Sequence, residues 1–135
     1  MSLYLEMNTE FSDVDSLKKA LEQMGFMGHV EVHQTAQILY GYHGDARAQK
    51  AHVIIRRQYV GGSANDIGFE KQLNGTYKAH ISEFDKGRGY NEKWLGKLKQ
   101  AYTCEKIAKE AIRSGRTVTK TKTADGKMRL VLVKA

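Results

Sequence analysis

The chain has 135 residues and a formal net charge of +7, from 22 Lys and Arg against 15 Asp and Glu. That length is ordinary for one domain and buries a real core without covalent staples, and a single cysteine excludes an internal disulfide. No run approaches the ~18 apolar residues of a membrane-crossing helix and the start is unlike a secretion signal, so one α+β domain over residues 1–135, cytoplasmic and without a membrane partner, is expected.

Charge is unevenly placed. Residues 1–45 carry two basic and seven acidic side chains, residues 46–135 twenty basic and eight acidic. A chain polarised in this way favours polyanions along its second half, and permits head-to-tail association between copies.

Ser2 to Phe11 alternates Leu3, Leu5 and Met7 with Tyr4, Glu6 and Asn8, the period of a strand. Ser12 or Asp13 can cap the helix that follows, in which Val14, Leu17, Leu21 and Met24 share a face; Gly25 ends it and Phe26 folds back. Val30 and Val32 then alternate with His29, Glu31 and His33, a row that resembles a metal-ligand set but reads as the wet side of a sheet. Ile38 to Tyr42 is a short extended run, and Asp45 to Ala51 is polar enough for a loop or a helical turn. The Gly41 to Gly44 G-x-x-G follows a strand, unlike the KH clamp loop, which joins two helices.

His52 to Val60 is predicted as a strand with Arg56 and Arg57 on opposite faces, so one of them needs a partner or an exposed margin. Gly61 to Asn65 is a loop with neither a P-loop ending nor a nucleophile elbow. A hairpin follows whose register can be argued. A three-residue Leu73-Asn74-Gly75 loop with Gly75 left-handed sets Ile67 against Ile81 and Phe69 against Ala79, whereas a two-residue turn sets Lys71 against Lys78. The three-residue loop is the better choice.

Lys86-Gly87-Arg88-Gly89-Tyr90 precedes Asn91, the N-cap of the longest helical pattern, Asn91 to Gly115. Two cations, two glycines and a helix N-terminus describe an anion or phosphate site. The helix holds two apolar groups, Trp94, Leu95, Leu98, Ala101 and Tyr102, then Cys104, Ile107, Ala108, Ala111 and Ile112, rotated apart so that a wrapped helix or a bend near Thr103 is expected. Cys104 reads as a small buried hydrophobe. A last hairpin turns at Asp125-Gly126. A two-residue turn puts Lys122 beside Arg129, whereas a three-residue loop moves Lys120 and Lys122 onto the face of Leu130 and Met128; the first is preferred because it buries fewer charges. Lys120, Lys122 and Arg129 then form a basic patch continuing toward Arg113 and Arg116.

The order of elements predicts an α+β fold, a mostly antiparallel sheet of about six to seven strands with two helices packed on one face. No paired catalytic motif, metal site or cofactor site is found. The function expected is a small, basic, non-enzymatic module that binds RNA or DNA through residues 86–91 and the C-terminal patch. The alternative is a protein-interaction or regulatory subunit, such as a phage factor acting on a host complex, anchored by Tyr40, Tyr42 and Tyr90. A nucleotide-handling protein using His43, His80 or Glu83 ranks third, and a homo-oligomer through exposed sheet edges is open to any of them.

Several stretches in order, Ser16 to Leu21, Gly41-Tyr42-x-Gly44, Asp66-Ile67-Gly68-Phe69, Trp94 with Gln100-x-Tyr102, and Asp125-Gly126-x-x-Arg129-Leu130-Val131-Leu132, resemble the family of the hypothetical chloroplast reading frame thirty-five of plastids, cyanobacteria, other bacteria and phages. The chain departs from that pattern in its Gly61 to Asn65 loop, its basic Lys86 to Tyr90 segment and its final Lys-Ala. The resemblance implies a conserved fold and supplies no activity.

Overall fold

A computed structural model describes residues 3–124 and 126–134. In chain order the elements are β1 (Tyr4–Asn8), α1 (Val14–Leu21) continued by a π-helical turn (Glu22–Phe26), β2 (Val30–Tyr40), β3 (Ala46–Ile55), α2 (Arg57–Val60), β4 (Ile67–Lys71), β5 (Tyr77–Ser82), α3 (Glu83–Gly87), α4 (Glu92–Arg113), β6 (Arg116–Lys122) and β7 (Met128–Lys134). The first five strands form one antiparallel sheet in the order β1-β5-β4-β3-β2, and β6 pairs only with β7. The expected α+β class is observed. The single sheet of six to seven strands is corrected to a five-stranded sheet and a separate two-stranded one, and two short helices join the two long ones.

The central hairpin has the register argued from its letters. Phe69 stands opposite Ala79, Gly75 has φ +88°, and Gln72 donates its N–H to the Thr76 carbonyl at 2.8 Å. Phe69, Ile67, Ala79 and Ile81 are fully buried on one sheet face with Val53 and Ile55, against Leu17 and Leu21 of α1 and Leu98 and Tyr102 of α4. Asp13 caps α1 by accepting from the Ser16 N–H at 3.1 Å. The Tyr102 hydroxyl accepts from the Ser12 and Asp13 N–H groups at 3.0 Å each, so α4 holds the start of α1 in place.

The opposite face is covered as well. Between the Val32–Val53 and Gln37–Ala51 pairs, four residues of β2 stand against His52 alone. Such a bulge bends the ribbon, and its outer half folds back over the sheet. Leu39 and Ala51 lie on Gly68, the Arg47 guanidinium sits 5.4 Å from the Tyr4 ring centroid on the far edge strand, and Tyr4, Leu39, Ala51 and Ile54 form a second buried cluster. Where β3 leaves β4, the His52 Nδ1 accepts the Lys71 N–H at 3.0 Å in place of a backbone carbonyl.

The expected loop or helical turn over Asp45 to Ala51 is therefore strand, and the expected strand over His52 to Val60 ends at Ile55. In the folded-back arm Arg47 and Gln49 are half-buried whereas Ala46 and Ala48 are exposed. That inverts the hydropathy alternation by which a strand is recognised.

Candidate nucleic-acid interface

Asp66, 1% exposed, ties several elements together. One carboxylate oxygen accepts from the Tyr40 N–H at 2.7 Å and Arg56 Nη1 at 2.9 Å, and the other from the Arg57 N–H at 2.7 Å. Its carbonyl accepts from the Tyr4 hydroxyl at 2.5 Å. Arg56 also donates to Glu31 at 3.0 Å, which settles where its guanidinium goes. Burial alone would raise the Glu31 carboxyl, yet bonds from Arg56 and His33 hold it below the ordinary carboxylate range. The His29, Glu31, His33 row is thus divided. Glu31 bonds His33 and Arg56, His29 stacks on Tyr59, and among the described residues no group of three His, Cys, Asp or Glu could hold a metal ion.

The segment expected to cradle an anion lies at the surface, with Gly87, Arg88 and Gly89 exposed, and several of its polar groups bond within the protein. Ser82 caps α3, and the buried Asp85 accepts from Ser82 Oγ at 2.7 Å and the Asn65 N–H at 3.0 Å. Lys86 pairs with Glu92 at 2.7 Å, Arg88 donates to the Gly62 carbonyl at 3.2 Å, and the Tyr90 hydroxyl donates to the Val60 carbonyl at 2.9 Å. Asn91 Oδ1 accepts the Lys93 and Trp94 N–H groups, donors that a phosphate at this helix end would need. Gly87 ends α3 and Gly89, with φ +117°, lies in the tight turn between α3 and α4. Tyr90, packed edge-on against Trp94, is no exposed anchor, whereas Tyr40 and Tyr42 are exposed. Of the side chains named for a nucleotide site, His43 lies against the Tyr42 ring and His80 bonds Glu70 from the sheet, whereas Glu83 lines a cleft with Lys86, Gly87 and Asn91.

The C-terminal cations gather differently. The unbroken α4 uses its first apolar group on the main core, and the second group turns Cys104, Ala108 and Ala111 under cover while the helix contacts β6 and β7. Two partners explain the two rotated groups. Burial also pushes the Cys104 thiol up, which keeps it protonated. The hairpin has the three-residue register, Lys120 opposite Leu130 and Lys122 opposite Met128, with Gly126 at φ +84°. This corrects the two-residue turn. Lys120 reaches the buried Glu105, which also takes a bond from Gln23. Lys122 lines a cleft of about 330 Å³ together with Gln23, Met24, Lys97, Gln100 and Lys127. Arg113 and Arg116 are exposed at the opposite end of the hairpin, by the turn that follows α4. Arg129 stands opposite Thr121, and its side chain lies outside the described residues.

Two cations of α4 are neutralised by the acidic first third, Lys99 by Glu10 and Lys109 by Asp13 and Asp15. The acidic first third thus folds against the basic helix. Among the described residues Lys97 and Lys122, like several other surface lysines, have no carboxylate partner, and sequence reasoning missed Lys97 because its spacing on α4 is that of any solvated lysine.

A protein family of unknown function, DUF1257, matches residues 20–131. The chain belongs to the DUF1257 family. No curated protein and no solved structure gives a significant match. The DUF1257 match spans the Asp66 hub, the folded-back arm and the lysine cleft alike. No helix is long and apolar enough to cross a membrane among the described residues.

Proposed function

We propose that this DUF1257 protein is a non-enzymatic module that holds a polyanion, RNA or DNA, at the cleft between α4 and the β6–β7 hairpin. The observation that carries the reading is the convergence of Lys97, Lys122 and Lys127 on one cleft with the amides of Gln23 and Gln100. Lysines neutralise phosphates and amides bond phosphate or sugar oxygens, which gives affinity without sequence readout. The reading centres the site away from Lys86, which is paired with Glu92. Within DUF1257, the stretches quoted above also support kinship with the plastid reading frame thirty-five.

The test is binding of labelled RNA and DNA oligonucleotides at two salt concentrations, with a Lys97→Glu, Lys122→Glu pair alongside. Affinity should fall steeply with salt, and each lysine removed should lower the slope of log affinity against log salt by about one. Affinity indifferent to salt would refute the reading.

A further inference from the structure

At the end of the sheet where β2, β3 and β5 run out, two tyrosines stand at the surface. Tyr42 and Tyr59 are each 43% exposed. Each is backed by a histidine, His29 against Tyr59 with ring centroids 3.8 Å apart and planes at 11°, and His43 against Tyr42 at 3.8 Å and 38°. A ring stacked on one side keeps its other face for a further planar group.

These rings are held on one rigid network. The Arg57 N–H is fixed by Asp66, Arg57 Nη1 donates to the Tyr42 carbonyl at 3.1 Å, and the Tyr42 N–H is fixed by Asn65 Oδ1 at 3.1 Å. Tyr59 stands on the same short helix as Arg57. Among the described residues the guanidiniums of Arg57 and Arg88 each donate one hydrogen bond within the protein, from Nη1, Arg88 also lying 5.4 Å from the Phe84 ring centroid, which leaves further N–H groups on each fork for a ligand. The acids beneath, Asp66 and Asp85, are occupied by internal donors.

We infer that this end is a stacking platform for the bases of a single-stranded nucleic acid, with Tyr42 and Tyr59 taking bases and Arg57 and Arg88 the adjoining phosphates. The inference rests on the polyanion reading and deepens it. One flat stack and one tilted ring pair, each beside a guanidinium, suit unpaired bases, which expose their faces; paired bases in a duplex hide theirs. A protein partner would instead fill a pocket around a buried anchor.

The experiment is anisotropy with a labelled mixed-sequence single strand and its blunt duplex at one salt concentration, using the wild type, Tyr42→Ala/Tyr59→Ala, Tyr42→Phe/Tyr59→Phe and the Lys97→Glu/Lys122→Glu pair. The alanine pair should lose about a hundredfold on the single strand, near tenfold per ring. It should keep its duplex affinity and melting temperature, and the phenylalanine pair should bind as the wild type. An alanine pair that binds the single strand normally, or loses single strand and duplex alike, overturns the inference and leaves the lysine cleft standing. Unchanged duplex affinity in the lysine pair overturns the cleft reading instead, and a wild type that binds neither probe overturns both. A protein captured by the wild type and lost by the alanine pair, with oligonucleotide affinity unchanged, would give the platform to a protein partner and also overturn the inference.

Discussion

Lys120 Nζ lies 2.5 Å from Glu105 Oε1, a carboxylate 7% exposed on the hairpin side of α4. Glu105 is what lets a lysine occupy the same strand face as Leu130. Lys120→Ala should leave that carboxylate with Gln23 alone and destabilise the protein by about 1–3 kcal/mol. Lys120→Met with Glu105→Leu should recover most of the loss. A double-mutant cycle by denaturant unfolding reads the coupling, and purely additive effects would contradict it.

Gly68 is where the folded-back arm meets the sheet. A Cβ there would come within 2.5 Å of the Ala51 Cβ and 2.9 Å of a Leu39 methyl carbon. Gly68→Ala should therefore cost about 1–3 kcal/mol by overpacking. Ala51→Gly in the same chain should restore part of it. A shift in denaturation midpoint measures both, and a neutral Gly68→Ala would mean that the arm yields freely.

Asp66→Ala should be more severe than either, because Arg56 loses one of its two carboxylates and two backbone N–H groups lose their acceptor. Breaking such a buried charged network costs about 3–5 kcal/mol. Hydrogen exchange should show the Tyr40 and Arg57 amides losing protection first.

His52 gives a pH dependence. Burial holds its imidazole below the ordinary value of 6.5, and its Nδ1 must be unprotonated to accept the Lys71 N–H. The unfolded chain takes up that proton first as pH falls. Its contribution to stability is complete above the ordinary histidine range and is lost as pH drops through and below it. Urea unfolding between about pH 5 and 8 should show the slope, and His52→Asn, which offers an oxygen near the same place, should flatten it.

The sheet hairpin and the terminal hairpin show what was legible and why. Both turn through a three-residue loop ending in left-handed glycine, Gly75 and Gly126. In the first, cross-strand chemistry selected the right register because Phe69 and Ala79 supply their own packing. In the second the same logic chose wrongly, because the group that stabilises Lys120 lies fifteen residues back in sequence, on a helix. Arg56 and Arg57 are similar: a need for a partner could be foreseen, but not that Asp66 would take the Arg56 guanidinium together with the Arg57 backbone N–H.

Local chemistry alone determined the Asn91 cap, a cap at Ser12 or Asp13, the length of α4, the Gly75 loop and the alternation of β4 and β5, since each depends on neighbours a few residues away. Only the tertiary structure decided that residues 46–51 are strand, that the basic 86–91 segment bonds inward, and that Lys97 meets Lys122. Those outcomes depend on which distant carboxylates, carbonyls and apolar faces arrive beside each side chain, and a lysine or arginine takes whatever partner lowers its charging cost most.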